Sequence, residues 1–152
     1  MREWWSHILK GPIPSSLLVS AVFLAIAVWL GPVSSGESTS RIYDTPGALT
    51  PAAGDNVTAA VIGAYESASA HHLCVAEGVA AHYHRKHDET VTVLSGVGVL
   101  TVGEETREVQ AGTVALIPRG TVHSLQVTGG PLEAVSVFSP AFDGTDRIYL
   151  DE

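Results

Sequence analysis

His82-Tyr83-His84-Arg85-Lys86-His87-Asp88-Glu89-Thr90-Val91-Thr92-Val93-Leu94-Ser95-Gly96 places three histidines and two carboxylates within eight residues, then runs into an alternating apolar stretch. His82 and His84 are two apart, so on a strand they share a face and their imidazoles can converge on one point. Glu89 has the wrong parity to join them on one unbroken strand. The polar insert Arg85-Lys86-His87-Asp88 resolves this as a turn, after which Glu89 opens a second strand and faces inward with Val91 and Val93. A second stretch, Gly112-Thr-Val-Ala-Leu-Ile-Pro-Arg-Gly-Thr-Val-His123, delivers one more histidine on a third strand, just after the Pro118-Arg119-Gly120 loop.

Working outward, Val57–Tyr65, Ala70–Ala76, Glu89–Leu94, Val97–Val102, Thr106–Gln110, Thr113–Ile117, Val122–Val127 and Glu133–Phe138 are short β-branched runs separated by turn residues such as Ser95-Gly96 and Gly129-Gly130-Pro131. Many short strands at about ten-residue spacing predict an all-β sandwich or barrel in one copy. No stretch after residue 37 keeps a helical period. Three imidazoles and a carboxylate suit Zn, Mn, Fe, Ni or Cu. An octahedral ion on four protein ligands keeps two positions open for chemistry, whereas a closed structural site is tetrahedral.

These two stretches resemble the cupin family, whose fold is a jelly-roll barrel. The family's first motif is His-x-His, three or four residues, Glu, six residues, Gly, and His82, His84, Glu89 and Gly96 match it. Its leading glycine is replaced by Ala76, with Gly78 two residues late. The second motif is matched by Gly112, Pro118, Gly120 and His123, with Val127 in place of the closing asparagine. The likeness spans roughly residues 57–143 and the segment that closes at Arg147. It implies that His82, His84, Glu89 and His123 are ligands of one divalent transition metal. Val127 shares His123's parity, with Leu125 between; with Val91 and Val93 they make the expected barrel wall apolar, fit for a small, mostly apolar ligand.

Other residues read more plainly. His87 is expected to be a solvated loop histidine, Arg85 and Asp88 solvated turn residues, and Tyr83 an outward-packing aromatic. At most one of His71 and His72 can face inward, and solvent exposure is the default for both. Cys74, the only cysteine, excludes an internal disulfide and reads as a small buried hydrophobe.

At the N-terminus, Leu17 to Leu30 is apolar except for Ser20, preceded by Arg2 and Lys10 and followed by Gly31-Pro32. Residues 1–36 therefore read as a signal peptide or a single-span anchor, an N-terminal hydrophobic helix ahead of a linker (37–56) and the barrel (57–152). The positive flank keeps the N-terminus inside, which places the barrel outside the cytoplasm, periplasmic, extracellular or membrane-anchored. The 152-residue chain has a formal net charge of −8; without residues 1–36 it has 6 basic and 15 acidic side chains, net −9. That balance repels phosphate backbones and anionic lipid, so no nucleic-acid partner is expected and membrane contact only through residues 1–36. A barrel this small is expected to relieve its strand edges by forming a homodimer.

The expected function is metal-dependent chemistry on a small organic molecule. The resemblance implies dioxygenation, isomerisation or decarboxylation, with Glu89 able to leave the metal and act as a base. The competing reading is a module that binds a small ligand or metal without turnover, since no acid or base beyond the ligands is evident.

Overall fold

A computed structural model describes residues 42–45, 49 and 54–150. The hydrophobic helix expected within residues 1–36 lies outside them. Eight strands follow in order: β1 (Val57–Ala64), β2 (Ser69–Val75), β3 (Gly78–Tyr83), β4 (Asp88–Val102), β5 (Glu105–Gln110), β6 (Val114–Ile117), β7 (His123–Ser139) and β8 (Ile148–Tyr149). All described pairings are antiparallel, and no described residue is helical.

The architecture turns on β4 and β7, which pair with each other from Asp88↔Ser139 to Val102↔His123. Near their middles the register shifts between Val93 and Gly98. Gly96 adopts φ +82° there, and a Cβ on it would lie 2.6 Å from the Pro131 carbonyl oxygen and 2.7 Å from Leu132 Cα. Only glycine fits both that backbone region and that approach. The bulge bends the ribbon, so each long strand contributes to both halves of a rolled sheet. The first half of β4 and the second half of β7 lie with β1, β2 and β6. The remaining halves lie with β3, β5 and β8. Hydrogen bonding is continuous through β4 and β7, so the two halves are one sheet rolled on itself.

Here the structure departs from the sequence pattern. Ser95-Gly96 and Gly129-Gly130 read as turns between separate strands, yet both are passed within one strand, because the partner ribbon keeps pairing across the bulge. Ahead of β1, the Tyr43 ring stands edge-on to His72, centroids 6.1 Å apart.

Period-2 patterning sends Val93, Val109, Leu132 and Ala134 into the core, with Val91, Leu100, Leu125 and Val127 packed on them. Each fully buried side chain of that size contributes about 1.5–3 kcal/mol by leaving water. Val93, Val109, Leu132 and Ala134 also border the barrel's interior cavity, which polar residues of β3, β4 and β7 share.

Candidate metal centre

His82 lies on β3 directly across from His123, the first residue of β7. His84 follows one residue past the end of β3, and Glu89 is the second residue of β4. The intervening turn brings Glu89 inward, as the parity argument requires. His82, His84 and His123 each offer a nitrogen, all within 4.8 Å of one another, and all three are buried. Glu89 Oε2 stands 3.2 Å from His123 Nε2 and 3.5 Å from His84 Nε2. The four residues named from the sequence therefore converge.

The protonation pattern follows from their neighbours. His82 Nδ1 contacts the Ala80 carbonyl at 2.8 Å, His84 Nδ1 the Asp146 carbonyl at 2.5 Å, and His123 Nδ1 the Thr121 carbonyl at 2.9 Å. A carbonyl only accepts, so each Nδ1 donates, which leaves Nε2 as the nitrogen free to act as a ligand. Glu89 is oriented from behind: the buried Ser136 hydroxyl donates to Oε1, which turns Oε2 toward the imidazoles. Oε2 and His84 Nε2 are buried without a hydrogen-bond partner. Acceptor atoms therefore crowd together, an arrangement costly in a protein interior unless a proton or a metal cation lies among them. Donors around one ion at ~2.0–2.2 Å stand roughly 3–3.5 Å apart, which the Glu89 separations match. The residues fit a divalent transition metal.

Burial pushes His82 down to about 4, with His123 beside it adding to the effect, so its ring is neutral at ordinary pH. Burial alone would raise the Glu89 carboxyl, but contacts from His123, His84 and Ser136 outweigh it and hold the group well below its usual range. Both shifts set an acid limit for the metal-free protein. Between pH 6.5 and about 4 the unfolded chain takes a proton on His82 that the folded chain refuses, so stability falls as pH is lowered through this window. Glu89 acts in the same direction below its ordinary 4.5. We expect urea unfolding of the metal-free protein to show a loss on the order of 2–3 kcal/mol between pH 6.5 and pH 4; a flat profile would contradict the assignment of a neutral buried His82.

Several secondary expectations are corrected. His87 is buried, not solvated: its Nδ1 contacts Asp146 Oδ2 at 2.6 Å and its Nε2 the Ala141 carbonyl at 3.2 Å. It is not aimed at the centre. His71 and His72 are both buried rather than exposed. His71 Nε2 contacts Ser69 Oγ at 2.9 Å and packs against Phe138 and Phe142; His72 Nε2 contacts Glu133 at 3.1 Å. Asp88 is half exposed but paired, receiving the Arg119 backbone N–H at 2.9 Å and its guanidinium at 3.0 and 2.6 Å, which pulls it down to about 2. Cys74 is buried, as expected, and burial raises its thiol.

Three residues escaped the sequence reading: Ser136, Asp146 and Arg147. Ser136 shares parity with Leu132 and Ala134, and a polar residue in that inward row was the available signal. Asp146 accepts the Arg85 and Lys86 N–H groups at 3.1 and 2.6 Å as well as the His87 contact. It pins the turn between His84 and Glu89. The opposing motif loop is tied on by Gly120 N–H, which donates to the His84 carbonyl at 2.6 Å. Beside the centre lies a cavity of about 70 Å³ whose wall includes Val79, Val91, Leu100 and Leu125. Val91, Val93 and Leu125 of the expected wall line it, whereas Val127 is not among its lining residues and packs on the core cluster.

Residues 72–138 match the family model for the cupin domain. The barrel is a cupin domain. Among curated proteins, the cupin is 39% identical over 70 residues to an uncharacterised protein of Aquifex aeolicus, covering 46% of this chain and 58% of that one. It is 33% identical over 116 residues to germin-like protein 1-1 of Oryza sativa, covering 68% and 54%. The chain thus spans somewhat more than half the length of these relatives. Among solved structures, the cupin superposes on a Klebsiella pneumoniae protein with a double-stranded β-helix domain at TM-score 0.63 and 23% identity, covering 75% of this chain and all of that one. It also superposes on a nucleoside dehydratase from Streptomyces at TM-score 0.54 and 22% identity, covering 62% and 78%. Both likenesses are of fold.

Proposed function

We propose that this cupin is a metal-dependent enzyme acting on a small organic molecule at the His82–His84–Glu89–His123 centre. The observation that carries this reading is the set of buried ligand atoms, two without partners, converging beside an apolar cavity. A bound divalent metal supplies Lewis-acid polarisation of a substrate oxygen or a place for dioxygen. The chain's own residues hold that group and shape its surroundings. The imidazoles are locked by backbone carbonyls, Glu89 stays ionised, and the Val and Leu wall excludes water. The lowered proton affinity of Glu89 makes it a weak base, so a base role would require it to lose the contacts that hold it ionised. The Streptomyces fold relative, a dehydratase crystallised with uridine, supports small-molecule chemistry on this architecture. The reaction type within dioxygenation, isomerisation and decarboxylation is tested by metal-reconstituted protein against catechol, thiol, diketone and sugar panels. Product formation by the metal-loaded protein, lost in His123→Ala, is expected.

One observation favours the second reading, a binding module. No titratable group lines the cavity apart from His82, Glu89, His123 and the permanently charged Arg147. Stoichiometric metal and tight ligand binding without product across those panels would establish that alternative.

We place the barrel outside the cytoplasm, supported by the charge asymmetry around Leu17–Leu30; recovery of full-length chain in the soluble cytoplasmic fraction would refute this. We also propose a homodimer. Val114 and Leu116 are 58% and 72% exposed on β6, whose sole described strand partner is β4. Sedimentation at the monomer mass of 15.9 kDa would exclude it.

A further inference from the structure

Arg147 lines the cavity together with His82, Glu89 and His123. Its Nε is buried and has no hydrogen-bond partner. The arginine ion pairs among the described residues involve Arg107 with Glu105 and Arg119 with Asp88, not Arg147. A guanidinium cannot shed its proton, so a half-buried one without a carboxylate stays charged and under-solvated. Glu89, the carboxylate in the same cavity, forms no ion pair with Arg147: its Oε1 accepts from Ser136 and its Oε2 is turned to the imidazoles. The charge of Arg147 is felt inside the barrel, where it disfavours protonation of both His82 and His71.

The backbone that carries this side chain is held in place. Asp146, immediately before it, is buried and bonded to three partners of the 85–87 turn. Ile148 and Tyr149, immediately after it, pair with Tyr83 and His82 as β8 on β3. The backbone of Arg147 is thus fixed on both sides, on the same strand edge that carries His82. An unpaired guanidinium lining a cavity whose remaining wall is mostly apolar is a receptor for a planar anion, which it meets with two parallel N–H bonds. The cavity of about 70 Å³ admits roughly five water-sized groups, which limits the ligand to a short chain.

We propose that Arg147 is the specificity-determining residue of this site and selects a small organic monocarboxylate, the carboxylate held by the guanidinium and the short apolar body held against the Val and Leu wall. The selection of a carboxylate deepens the enzymatic reading above, but the binding step does not depend on the metal.

The test uses butyrate as the probe, butyramide as its neutral isostere and inorganic phosphate as the rival anion, each titrated calorimetrically into metal-free and Zn-loaded full-length protein. Butyrate is expected to bind both forms, and butyramide at least 10-fold more weakly. Arg147→Gln is expected to weaken butyrate by roughly 10–100-fold, the loss of charge-assisted hydrogen bonds, while zinc stoichiometry and Tm stay at wild-type values. Arg147→Lys is expected to restore part of the affinity. Equal butyrate affinity in wild type and Arg147→Gln, equal affinity for butyramide, Arg147-dependent phosphate binding tighter than butyrate, or no butyrate binding at 10 mM (about 1,000-fold weaker than a 10 μM ligand) each overturns the proposal. Arg147-dependent butyrate binding to protein that takes up no metal would leave this assignment standing and remove the metal-centred one. Metal uptake without butyrate binding would do the reverse.

Discussion

Stripping the protein of metal with a chelator at neutral pH is expected to lower Tm by about 15 °C or more, and one equivalent of a divalent transition metal is expected to restore it. A ligand held only by the folded state stabilises it by about 4 kcal/mol when present at ~1,000 times its Kd, and for a barrel of this size each kcal/mol moves Tm by roughly 4–8 °C. The effect is large because the metal-free centre is unfavourable by construction. His84 Nε2 and Glu89 Oε2 are buried without hydrogen-bond partners, and Glu89 Oε2 stands 3.2 Å from His123 Nε2. Glu89→Gln separates this account from a merely structural one. The amide can keep its oxygen on Ser136 and present its NH₂ to His84 and His123, supplying the missing donor. Metal-free Glu89→Gln should therefore exceed metal-free wild type by about 1–2 kcal/mol, while its metal affinity drops on the order of 100-fold for loss of the anionic ligand. Scanning calorimetry on the four samples decides it. A Tm indifferent to chelator in wild type, or a Glu89→Gln variant less stable than wild type when both are metal-free, would count against the metal centre.

The second large effect is expected at a residue that touches no metal. Asp146→Ala should destabilise the barrel by roughly 3–5 kcal/mol, the range for removing one partner of a buried charged network. It would leave the Arg85 and Lys86 N–H groups and His87 Nδ1 without their acceptor. Because that turn sets the distance from His84 to Glu89, metal affinity should also fall about 10–100-fold, as for other residues that orient ligands. Asp146→Asn keeps one acceptor oxygen and should recover part of both losses. Urea titrations in the presence and absence of zinc separate the two effects. If Asp146→Ala unfolds at the wild-type midpoint, the turn is not held by this carboxylate.

How much of this was legible beforehand depended on range. The His-x-His spacing and the wrong parity of Glu89 are local facts, and they correctly demanded a turn at Arg85–Asp88 and an inward Glu89. His123 was reachable because its loop residues, Pro118 and Gly120, punctuate the sequence. The apolar wall, Val127 apart, followed from parity as well. What failed was whatever depended on a partner far along the chain. His87 reads as solvated in a run of charged residues; it is buried because Asp146, 59 residues on, closes over it. His71 and His72 look like an exposed pair, but Phe138 and Phe142 cover one and Glu133 and Tyr43 meet the other. Gly96 and Gly129-Gly130 were recognised as breaks, yet no local signal distinguishes a strand end from a bulge whose partner keeps pairing.

The bent β4–β7 ribbon has a mechanical meaning. Glu89 pairs with Phe138 at one end of the ladder, and His123 pairs with Val102 at the other. Drawn flat, the two ends would be about 40 Å apart at ~3.3 Å per residue. In the folded chain the Glu89 carboxylate and the His123 ring are 3.2 Å apart. The ribbon is therefore a coiled spring whose tips meet, and an ion bound there acts as its clasp. An ion held there would tie the two ends of the ribbon together, so uncurling the metal-loaded barrel would first require its release.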